Sequence, residues 1–253
     1  MIDCYVINLD RSLDRWRHIE TDFAGLAVRL IRVSAVDASQ KPELWSSGFY
    51  RSFWFRVHLG RSATAGELGC YSSHLKVLRM FLDSGAERAL ICEDDVVPER
   101  NLVEILEEVE KYAEYWNLLR LAMCRKRGFH ALADLPSGQT LGVNISGFAY
   151  APAYLIDRKG AEFLLKNASR MSLPWDLMVY RGWGGMSEMS LVPGPFQLGE
   201  TSYETTIVGQ KHTPISPFMP TFVAYRLWAR ARRYTIQWWR LGKLWKKVRN
   251  IKE

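Results

Sequence analysis

A short apolar run, Ala89-Leu-Ile-Cys92, passes without a spacer into three carboxylates, Glu93-Asp94-Asp95. The run has the length and continuity of a strand buried on both faces. Three adjacent acids at a strand end repel one another unless a cation sits among them. Oxygen ligands grouped in this way suit Mg²⁺ or Mn²⁺, which commonly reach a protein through one or two carboxylates while a bound phosphate supplies further ligands. The carboxyl end of a strand is also where open α/β sheets place their ligands. The plainer reading is an acidic turn before a helical segment that begins at Pro98. The surrounding pattern decides between them.

That pattern alternates. Cys4-Tyr-Val-Ile-Asn8-Leu9 reads as a buried strand, followed by a helix with Leu13, Trp16, Ile19 and Phe23 on one face. Val28–Val33 is a second strand. Residues 38–60 are rich in large side chains but lack periodicity, and read as a loop folded over the body. Thr64-Ala-Gly-Glu67 is a capping box that opens a helix running to about Leu82. Arg88–Cys92 is the third strand and Leu118–Met123 a fourth. Residues 125–138 read as a loop, and Phe148–Ile156 as a strand leading through the N-cap Asp157 into a helix. Pro174-Trp-Asp176 starts another helix, and 189–192 is a short strand. Strand and helix alternation through about residue 125 predicts an α/β fold with a mostly parallel sheet flanked by helices.

Charge divides the chain. Phe222–Glu253 holds ten Lys or Arg and one acid; of the chain's 34 basic and 27 acidic residues, the rest keeps 24 and 26. The body is therefore near neutral, and the basic excess lies in a tail where Tyr234, Trp238, Leu241, Trp245 and Val248 recur at helical spacing. A basic aromatic helix suits an anionic membrane surface, single-stranded nucleic acid, or packing on the body or a partner. The membrane is the favoured reading, with about 1 kcal/mol of attraction per Lys or Arg near anionic lipid, and no nucleic-acid partner is expected. The division expected is a body at 1–220 and the tail helix at 221–253.

Several classes lose support. Cys4, Cys70, Cys92 and Cys124 are scattered, with no CxxC pair, which argues against a zinc ribbon or a disulfide framework and fits a reducing cytoplasm. The first residues lack the basic and apolar regions of a signal peptide, and no window approaches eighteen uncharged apolar residues. Neither GxxxxGK[ST] nor GxGxxG is present.

Six blocks in order carry a family resemblance: Tyr5-Val-Ile-Asn8-Leu9-Asp-Arg-Ser-Leu-Asp-Arg15, Ala35-Val-Asp37, Gly66-Glu67-Leu-Gly-Cys70-Tyr-Ser-Ser73-His74, Ala89–Asp95, Tyr154–Ala161 and Pro174-Trp-Asp176. Together they resemble glycosyltransferase family 25, which includes bacterial lipooligosaccharide and collagen hydroxylysine galactosyltransferases. The resemblance covers about residues 3–205. It implies a GT-A-type, Rossmann-like fold, a UDP-sugar donor (commonly UDP-galactose), Mn²⁺ or Mg²⁺, and inversion at the anomeric carbon. Glu93-Asp94-Asp95 matches the family's DxD-like motif. Asp95 is the first choice for the direct metal ligand, with Glu93 or Asp94 assisting and His212 a further candidate. Asn8, Leu9, Arg11, Arg15, Ser73 and His74 match blocks where the nucleotide would lie. Asp176 is the candidate base that takes the acceptor's proton, with Glu188 in reserve. The activity so implied is transfer of a hexose to a lipooligosaccharide or lipopolysaccharide glycan by a peripheral protein on the cytoplasmic face of the bacterial inner membrane. The competing classes are a metal-dependent phosphodiesterase or nuclease and a noncatalytic membrane or nucleic-acid adaptor.

Overall fold

The computed structural model describes residues 1–122, 127–145, 150–199 and 219–249. Its centre is an eight-stranded sheet. Strands β1 (Ile2–Asn8), β2 (Val28–Ser34) and β3 (Arg88–Glu93) are joined through helices α1 (Leu13–Asp22) and α4 (Ala65–Asp83). Further along come β5 (Leu118–Arg120), β6 (Phe129–Asp134), β7 (Thr140–Asn144), β8 (Ala153–Asp157) and β9 (Glu188–Val192). The spatial order is β2-β1-β3-β8-β5-β9-β7-β6. A separate two-stranded ribbon pairs β4 (Val96–Pro98) with β10 (Phe196–Leu198).

The α/β class is as expected, and the β2-β1-β3 half has a Rossmann-like parallel arrangement. The parallel expectation holds only there and between β5 and β9. The sheet as a whole is mixed, because β8 runs antiparallel to both its neighbours and β6, β7 and β9 pair antiparallel. Antiparallel neighbours need no crossover helix, so helix alternation in the sequence carries no trace of them.

The central strands are buried on both faces, with period-two division. Cys4, Val6, Leu90, Cys92 and Leu155 face one core, against α1 and α5 (Leu102–Glu110). Tyr5, Ile7, Ala89, Ile91, Tyr154 and Ile156 face the other, against α4 and α6 (Arg158–Asn167). That two-sided burial is the reason these strands read as continuous apolar runs.

Local signals explain most ends. Thr64 Oγ1 accepts the Glu67 N–H at 3.1 Å and Glu67 Oε2 accepts the Thr64 N–H at 2.8 Å, the reciprocal capping box. Asp157 Oδ1 accepts the Gly160 N–H at 2.6 Å and caps α6. Three segments depart from expectation. Residues 38–60 contain two short helices, α2 (Glu43–Ser46) and α3 (Ser52–Leu59), the second closed by Gly60 at φ 70°. Their turns are too few to show a period. Pro98 ends β4 instead of starting a helix, and α5 begins at Leu102. Residues 125–138 include β6, whose half-exposed side chains disguise it.

The tail forms α8 (Met219–Arg249) and packs on the body. Tyr225 stacks on His58 of α3 with ring centroids 4.0 Å apart, and Trp238 lies 4.9 Å from the His130 ring of β6. Leu241 and Leu244 enter the core, and Gln237 and Arg240 are buried beside them. The buried face is thus offset from the predicted stripe: Tyr234 and Leu241 contribute to it, while Trp238 stays half exposed. The side chains of Trp245 and Val248 lie outside the described residues. No described helix is long and apolar enough to cross a membrane.

Candidate active site

Parallel pairing sets Ile7 beside Glu93 and Asn8 beside Ser34, so the carboxyl ends of β1, β2 and β3 open onto one edge. A cavity of about 360 Å³ lies there. Leu9, Arg11, Arg15, Ser73, His74, Glu93, Asp94, Asp95 and Asp176 all line it. Residues from the first strand-to-helix turn, α4, the acidic strand end and the start of α7 (Trp175–Val179) therefore converge, as the sequence predicts.

The three acids are not equivalent. Asp94 is held on both sides: Asn8 Nδ2 donates to one oxygen at 2.7 Å and Arg15 Nη1 pairs with the other at 3.0 Å. Asn8 thus meets the cavity through Asp94. Asp95 is 6% exposed, and its Oδ1 has no hydrogen-bond partner among the described residues. Burial first, then the neighbouring Glu93 and Asp94, push its proton affinity up to about 7. Glu93 rises to about 7 as well, through burial, Asp94 and Asp176. One face of Glu93 meets Cys70 Sγ at 3.7 Å and His74 Nε2 at 3.5 Å. The buried Asp95 carboxylate, with its orphaned oxygen, and the partly exposed Glu93 carboxylate beside it, with too little positive charge nearby, are the donor set a hard divalent cation fits. Glu93 and Asp95 would hold such an ion.

Ser73 and His74 build the wall. Ser73 Oγ donates to the Gly69 carbonyl and accepts the Val36 N–H, both at 2.7 Å. This ties α4 to the loop after β2. Gly69 is required at the crossing, because a Cβ there would lie 2.4 Å from the Val36 carbonyl oxygen. His74 is buried between elements: its ring stacks on Trp175 at 4.9 Å, and Nδ1 meets the Tyr154 hydroxyl at 3.0 Å. Burial lowers its pKa to about 3, so the ring is neutral and positions Glu93 and Trp175. Arg11 pairs with Asp37 at the exposed rim.

Asp176 lies in the first turn of α7, with Oδ1 accepting the Leu177 N–H at 2.7 Å. Burial raises its pKa, and backbone N–H groups of Leu177 and Tyr150 oppose the rise. Glu188 is elsewhere. It sits in β9 within a buried ionic cluster, 3.7 Å from both Arg120 and Arg233, with Gln237 Nε2 at 3.4 Å. His212 lies outside the described residues. Cys70 and Tyr150 are among the cavity residues that the sequence reading did not single out for the site. Cys70, one helical turn before His74, could have been found from that spacing. Tyr150 could not: it is a non-glycine residue at φ 119°, a strained conformation that only the assembled cleft explains.

The model of glycosyltransferase family 25, described as LPS biosynthesis protein, matches residues 1–179. The chain belongs to glycosyltransferase family 25. Among family relatives, procollagen galactosyltransferase 1 of Danio rerio is 27% identical over 173 residues, covering 65% of this chain and 28% of that protein. Procollagen galactosyltransferase 2 of Mus musculus is 29% identical over 174 residues, covering 64% and 27%. The inactive glycosyltransferase 25 family member 3 of Homo sapiens is 33% identical over 125 residues, covering 46% and 20%. The chain thus spans less than a third of the length of these relatives. The family match contains every cavity residue named above, from Leu9 to Asp176; α8 lies beyond it.

Proposed function

We propose that this family 25 protein is an inverting, metal-dependent glycosyltransferase. It moves a hexose, galactose foremost, from a UDP-sugar to a hydroxyl of a lipooligosaccharide or lipopolysaccharide glycan. The observation that carries this reading is the cleft itself: Glu93 and the buried Asp95, with the unpartnered Oδ1 of Asp95, share a cavity with Asp176. Galactose is supported by the names of two relatives, and the glycan by the family's description.

Glu93 and Asp95 would hold Mn²⁺ or Mg²⁺, which when bound offsets charge on a donor diphosphate and on the UDP that leaves. Asn8 and Arg15 hold Asp94 beside them, and Leu9 with the Ser73-braced loop walls the nucleotide side. Asp176 faces the same cavity with a raised pKa, which brings a carboxylate toward the range of an effective base. As the acceptor oxygen bonds to the anomeric carbon, the bond from that carbon to the UDP oxygen breaks, and the acceptor's proton passes to Asp176. Glu188 does not line the cavity, which favours Asp176 for this role. The exposed Trp238 and Trp239 of α8, with Lys243 over the Trp239 ring at 3.7 Å, suit a peripheral position on the anionic cytoplasmic face of a bacterial inner membrane.

A panel of UDP-sugars tests the reading by UDP release. Release should require Mn²⁺ or Mg²⁺ and a glycan acceptor and be fastest with UDP-galactose. Asp176→Asn should lower the rate by roughly 10²–10⁴-fold and leave UDP binding intact. Hydrolysis of nucleic acid without a sugar donor, or no release with any donor, would contradict it.

A further inference from the structure

A second cavity, of about 490 Å³, lies one short helix away from the carboxylate cleft. Pro174, Trp175 and Asp176 line the cleft, whereas Ser172, Met178 and Arg181 of the same segment line the second cavity. Its charged lining is Arg51, Arg170 and Arg181, with no carboxylate. Among the described residues, none of the three arginines forms an ion pair.

The frame that brings them together is well tied. The Arg51 N–H donates to the Met171 carbonyl and the Met171 N–H to the Phe49 carbonyl, both at 2.9 Å. His58 Nδ1 lies 2.9 Å from the Ser172 carbonyl oxygen. Arg181 is held by stacking, its guanidinium 4.8 Å from the Trp183 ring centre. Three arginines carried on this backbone frame, Arg51 and Arg170 exposed and Arg181 partly buried, line one cavity without a counter-charge and make a site for a multiply charged anion, and a phosphate matches the guanidinium fork.

The cavity's remaining wall points to the source of that phosphate. Trp54 and His58 line it, and ring contacts continue from His58 to Tyr225 and from Tyr225 to Trp228. Phe53, Trp54, Leu227 and Trp228 along this line are 65%, 49%, 63% and 56% exposed. Large aromatic side chains beside arginines are the composition of a membrane interface, with rings at headgroup depth. α3 and α8 meet through these contacts, so the surface belongs to the folded body as well as to the basic tail.

We propose that the Arg51–Arg170–Arg181 cavity seats the phosphate headgroup of an anionic membrane lipid, with Phe53, Trp54 and Trp228 entering the interface beside it. The binding stands on this surface alone. Its use, holding a lipid-borne acceptor within reach of Asp176, rests on the proposed transfer reaction.

Sedimentation with phosphatidylcholine vesicles, with and without phosphatidic acid, tests the assignment. The full chain should bind the phosphatidic acid vesicles preferentially. The triple variant Arg51→Gln, Arg170→Gln, Arg181→Gln should lose on the order of a hundredfold in that binding, and Arg170→Gln alone about fivefold. A charge-matched triple on the α1 and α5 side, Arg17→Gln, Arg100→Gln, Lys111→Gln, should lose less than about threefold. Equal losses in both triples would reduce the effect to net charge and overturn the site. So would unchanged binding in the first triple, or in Arg170→Gln should that triple not fold. Binding of inorganic phosphate that the first triple abolishes, with no preference of the unmodified chain for phosphatidic acid vesicles, would assign the cavity to free phosphate and overturn the lipid. UDP release with a soluble acceptor separates the two claims: vesicle binding without it removes the transfer reading and leaves this one, and the reverse outcome does the opposite.

Discussion

Asp94 and Asp95 are chain neighbours with the same chemistry and opposite circumstances. Asp94 is matched by Asn8 and Arg15, while Asp95 is buried with an oxygen unpaired. Substitution should therefore move stability in opposite directions. Asp94→Asn breaks a partly buried ion pair and should cost about 1–2 kcal/mol. Asp95→Asn removes an uncompensated buried charge and should stabilise the metal-free protein by roughly 1–3 kcal/mol. The same change should abolish UDP release. Denaturant titration of the two variants without metal checks the signs; destabilisation by Asp95→Asn would mean that its carboxylate is matched after all. Glu188 offers a contrast. Its position places it among Arg120, Arg233 and Gln237, so Glu188→Gln should destabilise by about 3 kcal/mol or more. At temperatures well below its melting point the variant should keep kcat within a few-fold, a result that a catalytic base could not give.

Elements with strong local chemistry were legible in the residues. The capping box at Thr64, the N-cap at Asp157 and the two-sided apolar runs of β1 and β3 each specify a structure within a few residues. The cleft was legible for the same reason: its acids follow directly from β3, and Asn8 to Arg15 follow directly from β1. The β6–β7 hairpin and the antiparallel β8 were not, since pairing between distant strands leaves little in local periodicity. Nor was the partnership of Glu188 with α8, which joins residues forty-nine positions apart. The start of α4 gives a prediction at this scale. Burial tends to raise the Glu67 pKa, but Arg61, bonded at 2.6 and 2.8 Å, and the Thr64 N–H bring it below the ordinary value of 4.5. The bound form is the ionised one, so its contribution is fully present above pH 4.5 and is lost as pH falls through the lower folded value. Arg61→Gln should flatten this part of the stability profile, as read by denaturation between pH 6 and 3. Thr64→Ala should cost about 1 kcal/mol at neutral pH.

At the scale of the molecule, one sheet edge gathers the ends of β1, β2 and β3 into a cleft, and α7 separates that cleft from an arginine-lined cavity under α3. α8 is fixed to the body through Leu241, Leu244 and the Glu188 cluster, which leaves Trp228, Trp238 and Trp239 facing outward. The arrangement sets the proposed nucleotide-sugar site beside a surface suited to a lipid interface. Its central claim is that Glu93 and Asp95 seat a divalent ion on which donor binding depends. Calorimetric titration of UDP into the protein, with and without Mn²⁺, and into Asp95→Asn with Mn²⁺, measures this directly. The account predicts UDP binding by the unmodified chain only with Mn²⁺ and none by Asp95→Asn; binding that is equal with and without the ion, or unchanged by the substitution, would contradict it.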